Sequence, residues 1–162
     1  LGAAGISFET KLLVLNFTTR LVGNHGLVLL GLYPLLAKHL GGGHQRGVAA
    51  LLAYCVQACH DGVPPQELHG LLRTVATNFV TERCSGETMA VGINTLRAIL
   101  CRCPAVLAEE TIADANGSGV AMDVGAFVRD LCGYATHRDR SAMVAGRSFA
   151  NMVRATAPGL LR

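Results

Sequence analysis

Cysteine and histidine are the residue types in this sequence best suited to chemistry, and their tightest grouping is Cys55, Cys59 and His60. Thiolates and imidazoles at such spacing could bind Zn²⁺, but a structural zinc site needs four ligands, and no second pair at zinc-finger spacing supplies the other two. Cys55 and Cys59 also fall on the apolar stripe of a helical pattern. We therefore predict buried thiols at these positions and expect no metal ion and no other cofactor.

The remaining candidates for catalysis are isolated. Cys101 and Cys103 occupy alternate positions of a predicted helix, so their side chains should point apart by roughly 200°. The stretch GGGHQRG, residues 41–47, is rich in glycine but lacks the Lys-Ser/Thr ending of a phosphate-binding loop, and it indicates a helix junction. Further histidines without a Ser, Cys or Asp companion in a recognisable motif are His25, His39, His44 and His69. The sequence therefore predicts a protein that is not an enzyme.

Two polar turns carry the side chains that could bind a partner. The first lies in TNFVTERCSGETMAVGINTL, residues 77–96, and the second is THRDR, residues 136–140. The candidate side chains are Asn78, Thr81, Glu82, Arg83, Ser85, His137, Arg138 and Arg140. Arginines in such turns can bind RNA phosphates, or the acidic helix of a neighbouring protein. The alternative is that both turns only cap and connect helices, with Ser85 and Asp139 as N-caps.

Composition and charge narrow the class of protein. The 162 residues suit one domain or part of one, and a chain that is 51% apolar but only 5% aromatic favours helices packed through Leu, Val and Ala. A net charge of +3 is too small for a dedicated DNA-binding domain, although an acidic stretch at 104–136 is followed by an arginine-rich one at 137–162. These features nominate no partner by themselves.

The cysteines and the apolar stretches bear on the cellular compartment. No secretory signal opens the chain, and the cysteines lie singly in helical patterns, so we expect a reducing intracellular compartment. The uncharged stretch 21–37 is shorter than a membrane span and contains Pro34. We expect buried core helices there and no association with a membrane.

Helical patterns must position the two turns. The first predicted helix covers residues 8–22 after a cap candidate at Ser7, and its apolar face should consist of Leu13, Phe17 and Leu21. A second helix should cover residues 27–40 with a bend at Pro34. We expect these two helices to form a hairpin.

Six further helices are predicted. Their starts lie near Val48, Pro65, Gly86, Pro104, Val124 and Arg140, and their ends near Cys59, Phe79, Cys103, Ala115, Tyr134 and Thr156. An apolar stripe on the fourth helix should pack against one on the fifth: Leu68, Leu72, Val75 and Phe79 against Met89, Ile93, Leu96 and Leu100. Helices of this length with short turns, and without an alternating strand pattern, indicate a bundle or a helical solenoid.

An internal repeat favours the solenoid. Met89 and Gly92 recur as Met143 and Gly146 at an offset of 54 residues, which also pairs the two cap candidates of the polar turns. An earlier helix start near His44 lies 41 residues before the first cap. Removing an insertion near residues 116–124 brings the longer offset towards this spacing, which is typical of HEAT-type helix pairs.

We therefore predict an all-α fold, a HEAT/armadillo-like helical-repeat solenoid of antiparallel helix pairs. Residues 1–162 should form a single helical-repeat segment, with 116–124 as an inserted flexible loop. Asn94, a polar residue within the fifth helix, is expected to form a bridge between repeats rather than an external contact. Arg147 is expected to bridge repeats as well.

Three stretches also resemble a known family. They are LVGNHGLVLLGLYPLLAKHL, VPPQELHGLLRTVATNFVTERCSGETMAVGINTLRAILCRCP and YATHRDRSAMVAGRSF. In this order they resemble blocks of the family named for severe depolymerization of actin, over nearly all of residues 20–154. The central block is specific, because it matches polar turn residues as well as apolar helix positions. Members of that family are nuclear and nucleolar factors needed for assembly and export of the large ribosomal subunit.

The resemblance implies a non-catalytic scaffold of the nucleus and nucleolus. Its partners would be the precursor of the large ribosomal subunit, other assembly factors and rRNA phosphates. Two other functions stay open: a nuclear transport adaptor that binds protein cargo, and a direct regulator of the actin cytoskeleton, which rests on the family name. Because the family is much longer on both sides, the resemblance also implies that this chain is a middle piece of a larger scaffold and that residues 111–124 are partly inserted.

Overall fold

The computed structural model describes residues 5–41, 47–117 and 119–162, and these parts are mainly helical. The α-helices are α1 (Phe8–His25), α2 (Leu32–Gly41), α3 (Val48–Ala58), α4 (Pro65–Phe79), α5 (Gly86–Arg102), α6 (Val124–Gly133) and α7 (Arg140–Thr156). The two strands are β1 (Thr111–Ile112) and β2 (Met122–Asp123), and short 3₁₀ segments cover Pro104–Ala108, Tyr134–Thr136 and Pro158–Leu161. The predicted helix start near His44 lies outside the described residues.

The helices stack in two rows. In the first row α1 packs on α3, α3 on α5 and α5 on α7, while in the second row α2 packs on α4. The consecutive pairs α2–α3, α4–α5 and α6–α7 join the two rows. In a helical solenoid each repeat contacts mainly the next one, because each helix buries its apolar stripe against its neighbours. The contacts in this chain follow that pattern. The predicted all-α helical-repeat solenoid is confirmed.

Contacts near the helix ends define the direction of each row. Gly23, near the end of α1, lies against the Gln57 carbonyl near the end of α3, and Gly86, at the start of α5, lies against the carboxylate of Asp139, which begins α7. In the second row the Asn78 amide near the end of α4 donates to the carbonyl of Leu40 near the end of α2 at 3.3 Å. Helices within a row therefore run parallel, and the short turns make each consecutive pair antiparallel.

Two glycines explain the repeat found in the sequence. A Cβ on Gly92 would lie 2.8 Å from both the Phe79 Cβ and the Val80 Cγ2, at the end of the preceding helix. A Cβ on Gly146 would clash with the backbone of Tyr134 and Ala135, again just after the preceding helix. At both positions the absence of a side chain lets the two helices of a pair approach closely.

The core of the array follows the predicted stripes. Leu68, Leu72 and Val75 of α4 and Met89, Ile93, Leu96 and Leu100 of α5 are at most 3% exposed. Phe79 is only half-buried, because it lies at the end of α4 where the turn begins. The stripes are thus confirmed, apart from full burial of Phe79.

The prediction for the first two helices is wrong in three respects. α1 packs on α3 rather than forming a hairpin with α2. Its buried residues are Leu15, Thr19 and Val22, while Leu13 and Phe17 are 69% and 66% exposed. α2 begins at Leu32, so Pro34 lies in its first turn, where a missing N–H costs no helical hydrogen bond and no bend is needed.

The uncharged stretch 21–37 is likewise not all core. Leu27, Val28, Leu29 and Leu30 form an exposed connection between α1 and α2 rather than a helical turn. His60 holds this connection, because its Nε2 lies 2.7 Å from the carbonyl of Leu27. No helix in the described parts of the chain has the length and apolar character needed to cross a membrane.

The sixth predicted helix is also wrong. Pro104–Ala108 is a short 3₁₀ segment, and the chain then enters β1, which pairs antiparallel with β2 through Thr111 with Asp123 and Ile112 with Met122. The strand residue Ile112 is fully buried. The segment is therefore held by the burial of this side chain and by strand pairing rather than by helical hydrogen bonds. Within the predicted insertion, the Val120 carbonyl lies 3.0 Å from His69 Nε2 and accepts from Arg73 at 3.3 Å, which holds the loop against α4.

Candidate interaction surface at the turns

The turn between α4 and α5 is built by short-range hydrogen bonds. The Ser85 hydroxyl caps α5 by accepting from the Thr88 N–H at 3.2 Å. The Cys84 thiol donates to the carbonyl of Asn78 at 3.5 Å and lies 3.4 Å from the Thr81 hydroxyl. Three of the candidate residues, Asn78, Thr81 and Ser85, therefore have structural partners of their own.

The turn between α6 and α7 has a comparable construction. Asp139 caps α7 by accepting from the backbone N–H groups of Ser141 and Ala142 at 2.9 and 3.2 Å. The Asp139 backbone N–H donates to His137 Nδ1 at 3.0 Å. Because Nδ1 accepts, the neutral imidazole carries its proton on Nε2, the ring nitrogen that points towards the neighbouring turn. Both predicted N-caps, Ser85 and Asp139, are confirmed.

The two turns meet in space. His137 Nε2 lies 3.3 Å and 3.4 Å from the two carboxylate oxygens of Glu82. The Tyr134 hydroxyl donates to the carbonyl of Val80 at 3.3 Å, and the Tyr134 ring stacks on His137 with 5.5 Å between centroids. Burial, and then the Glu82 carboxylate, raise the pKa of Tyr134, which favours the protonated phenol that donates this hydrogen bond. The two turns thus lie side by side, and the eight candidate residues that they carry are hereafter called the turn surface: Asn78, Thr81, Glu82, Arg83, Ser85, His137, Arg138 and Arg140.

Three arginines of the turn surface are available for binding. Arg83, Arg138 and Arg140 are exposed. Within the described parts of the chain, none of the three guanidinium groups has a hydrogen-bond or ion-pair partner. Since the fold uses none of these charges, the turn surface presents three unpaired cations next to one carboxylate, which His137 engages.

Two grooves flank the turn surface. One of about 440 Å³ lies between the ends of α4 and α6 and is lined by Glu82, Asp130, Phe127, Tyr134 and His137 among others. A larger one of about 860 Å³ has an apolar floor that includes Leu52, Phe79 and Val91 and a rim that includes Asn78, Thr81 and Arg83. Sequence reasoning missed Phe127, Asp130 and Tyr134 as neighbours of the turns, because they belong to another helix pair. The 54-residue offset was the available signal for Tyr134, since it relates that residue to Val80.

Two helix positions do not bridge neighbouring repeats as expected. Asn94 is exposed on α5, whereas the next residue, Thr95, is buried and donates to the carbonyl of Val91 at 2.8 Å. Arg147 Nε donates to the carbonyl of Ala135 at 3.3 Å, which ties α7 to the turn that precedes it within the same pair. Residues 94 and 95 point about 100° apart around the helix axis, so Asn94 is exposed while Thr95 is buried.

The cysteines with metal-like spacing are buried thiols, as predicted. Cys55 and Cys59 are fully buried, and the Cys59 thiol donates to the carbonyl of Cys55 at 3.1 Å. Burial raises the pKa of Cys55 to about 12. His60 is engaged at both ring nitrogens, by the carbonyl of Leu27 and the N–H of Gly62. In residues 5–41, 47–117 and 119–162, no group of three His, Cys, Asp or Glu side chains could hold a metal ion.

Comparison with known proteins agrees with this architecture. The family model described as "SDA1, HEAT repeat" matches residues 2–116. The chain is 38% identical over 155 residues to Protein SDA1 homolog of Xenopus tropicalis, which covers 96% of the chain and 20% of that protein. It is 37% identical over 161 residues to Protein SDA1 homolog of Drosophila melanogaster, and this alignment covers 99% of the chain and 20% of that protein.

A fungal relative gives the same result. Protein sda1 of Schizosaccharomyces pombe is 36% identical over 157 residues, which is 97% of the chain and 20% of that protein. The chain therefore spans about a fifth of the length of the curated relatives that it matches. Since the family model covers most of the chain and agrees with the stacked helix pairs, the chain belongs to the SDA1 HEAT-repeat family.

Proposed function

We propose that this chain is a non-catalytic scaffold segment of an assembly factor that matures and exports the precursor of the large ribosomal subunit. Its place of action would be the nucleus and nucleolus, and its partners would be the precursor particle, other assembly factors and rRNA phosphates. Membership of the SDA1 family supports the proposal, together with the sequence resemblance described above.

The turn surface is the observation that supports a binding role most directly. It brings two turns of successive repeats together, and its Arg83, Arg138 and Arg140 side chains stabilise no contact within the fold. Guanidinium groups pair well with phosphates because their planar fork can donate two hydrogen bonds at once. Three such groups on one rigid edge suit the phosphodiester backbone of a folded RNA.

Purification of particles through the full-length protein would test the function as a whole. We expect precursor rRNA of the large subunit and other assembly factors to co-purify. A preparation dominated by transport receptors and their cargo, or by actin, without precursor rRNA would contradict the proposal. The first outcome would favour a transport adaptor and the second a cytoskeletal regulator.

The triple variant Arg83→Ala, Arg138→Ala, Arg140→Ala would test the surface. Its melting temperature should stay close to that of the wild type, because exposed charges contribute little to stability. Its association with the precursor particle should weaken, and the remaining binding should depend less steeply on salt, since fewer phosphate counterions are released.

A matched variant with the same change of charge is Arg129→Ala, Arg154→Ala, Arg162→Ala, on other exposed parts of the chain. It should bind the particle like the wild type. Equal binding by both triple variants would mean that the turns only cap and connect helices. Loss of binding without a change in salt dependence would identify a protein neighbour rather than RNA.

A further inference from the structure

The groove between the ends of α4 and α6 is opposite in charge to the arginines beside it. Two carboxylates line this groove of about 440 Å³, Glu82 from the turn after α4 and Asp130 from α6. Among the described residues of its lining there is no lysine or arginine. Ionised carboxylates repel phosphates, so the groove should exclude RNA, whereas the three arginines of the turn surface could attract it. The groove therefore favours a ligand that carries positive charge.

Aromatic and apolar side chains form most of the remaining lining. Phe127 and Leu131 belong to α6, Tyr134 follows that helix, and Val80 lies just after α4. The rings of Phe127 and Tyr134 are only partly buried, so part of each is accessible from the groove. Rings beside carboxylates suit a cation on a long apolar stem, because the stem packs on carbon while the ring and the carboxylate attract the charge.

The fold keeps both carboxylates at the groove. His137 Nε2 lies 3.3 Å and 3.4 Å from the two oxygens of Glu82, which restrains this side chain and leaves its oxygens with capacity to accept further hydrogen bonds. Burial raises the pKa of Tyr134, and the charges of Glu82 and Asp130 add to this effect, so both carboxylates lie near the same phenol. Asp130 is exposed and forms no hydrogen bond or ion pair with any residue that the structure describes.

We propose that this groove binds an arginine side chain of a partner protein, with the guanidinium paired to Glu82 and Asp130 and its methylene stem against Phe127 and Tyr134. Arginine fits better than lysine, because its planar group donates paired hydrogen bonds to carboxylates and stacks on aromatic rings. The inference does not depend on the proposed role in ribosome assembly, since the groove would recognise this side chain in any partner that presents it.

NMR titration of the chain with short peptides would test the proposal. The probes are acetylated tripeptide amides of arginine, of lysine and of citrulline, which resembles arginine in shape but has no charge. We expect tri-arginine to shift the side-chain resonances of Phe127, Tyr134 and His137 until they saturate, and tri-citrulline to leave them unchanged. Tri-lysine should bind more weakly than tri-arginine, because an ammonium group cannot form the paired hydrogen bonds.

Two double variants with the same change of charge would locate the binding. Glu82→Gln, Asp130→Asn removes both charges, and because glutamine can still accept from His137 the melting temperature should stay close to that of the wild type. The Kd for tri-arginine should rise at least about tenfold, because hydrogen bonds between charged groups are lost. Glu109→Gln, Glu110→Gln changes exposed carboxylates outside the groove and should bind tri-arginine like the wild type.

Other results would overturn the proposal. The absence of a saturable shift with tri-arginine would show that the groove does not bind this side chain. An equal loss of affinity in both double variants would reduce the binding to attraction by net charge, and equal binding of tri-lysine would exclude recognition of the guanidinium. Shifts of the same resonances by single-stranded RNA, without a response to tri-arginine, would assign the groove to RNA.

Discussion

Single side chains decide how closely the helices of each pair approach. Gly92 and Gly146 receive the end of the preceding helix, and the corresponding caps, Ser85 and Asp139, fix where α5 and α7 begin. These four residues could be recognised in the sequence as a repeat, because the role of each follows from its residue type and from its spacing along the chain. The contact between Glu82 and His137 could not be read in this way, since it joins residues 55 positions apart whose approach depends on the stacking of two pairs.

Gly146→Ala should destabilise the protein. The added methyl group would clash with the backbone of Tyr134 and Ala135, which cannot rotate away like the end of a side chain. We expect a loss of about 3 kcal/mol in the free energy of unfolding, at the upper end of typical overpacking costs, measured by urea denaturation.

Gly70→Ala is the matched control. Gly70 lies in the middle of α4 with open space around its Cβ position, so alanine should stabilise the helix by about 0.5–1 kcal/mol. A neutral Gly146→Ala variant beside a stabilised Gly70→Ala variant would show that α6 and α7 can separate without cost.

Buried Cys55 should make stability sensitive to alkaline pH. Burial raises its pKa from 9.0 to about 12, so below pH 9 both the folded and the unfolded states hold the thiol proton and stability is unaffected. Between these values the unfolded chain loses the proton first, and the free energy of unfolding should fall by about 1.4 kcal/mol per pH unit.

Urea denaturation at about pH 8 and about pH 10.5 would measure this slope. Cys55→Val should reduce it, because valine has a similar size and no titrating proton, whereas Cys101→Val on the exposed side should leave it unchanged. An identical slope in the wild type and in Cys55→Val would assign the alkaline sensitivity to other groups, among them Tyr33, whose pKa burial also raises.

Helices differ in how well their apolar pattern predicts their buried face. The stripes of α4 and α5 are buried as expected, because these helices lie inside the array and have neighbours on several sides. The stripe of α1 is equally regular but faces outward, since only α3 covers this helix among the described residues. Periodicity therefore identified α1, α4 and α5 as helices, while the position of each of them in the array decided which face became the core.

Phe79→Asp should test the packing at the end of α4. Phe79 is half-buried against Gly92 of α5, so the substitution removes a large apolar side chain and places a carboxylate beside the core. We expect a loss of about 2 kcal/mol, below the roughly 3–5 kcal/mol typical of fully buried aromatic residues, because Phe79 is already partly exposed.

Val144→Asp offers a comparison on α7, where the side chain is 55% exposed. It should change the melting temperature little, because an exposed carboxylate stays hydrated. Equal melting temperatures for Phe79→Asp and the wild type would mean that the end of α4 separates from α5 in solution.

The array as a whole tolerates an interruption between α5 and α6. The helical pattern continues after β2 as if the intervening segment were added to a regular repeat, which agrees with the longer offset between the two capped turns. What sequence patterning could not provide was the local structure of this segment, because its strands are too short to show alternation.

Replacing residues 113–121 by Asn-Gly should leave the solenoid folded. Ile112 and Met122 are already paired, and a two-residue turn of this type closes an antiparallel hairpin. We expect a melting temperature within a few degrees of the wild type, with the small loss coming from the hydrogen bonds of His69 and Arg73 to the Val120 carbonyl. Unfolding of this variant would show that the segment is an integral part of the repeat.

Because the helices within each row run parallel, their dipoles separate positive from negative charge along the edge of the solenoid that carries the turn surface. The starts of α3, α5 and α7 lie on one side of this edge and the ends of α2, α4 and α6 on the other. Aligned peptide dipoles place about half a positive charge at each start and half a negative charge at each end, so two lines of opposite sign run side by side roughly 10 Å apart. The carboxylates of Asp139 at the start of α7 and of Glu87 in the first turn of α5 already compensate two of these positive starts, so the binding of anionic groups at this edge would depend on the exposed arginines.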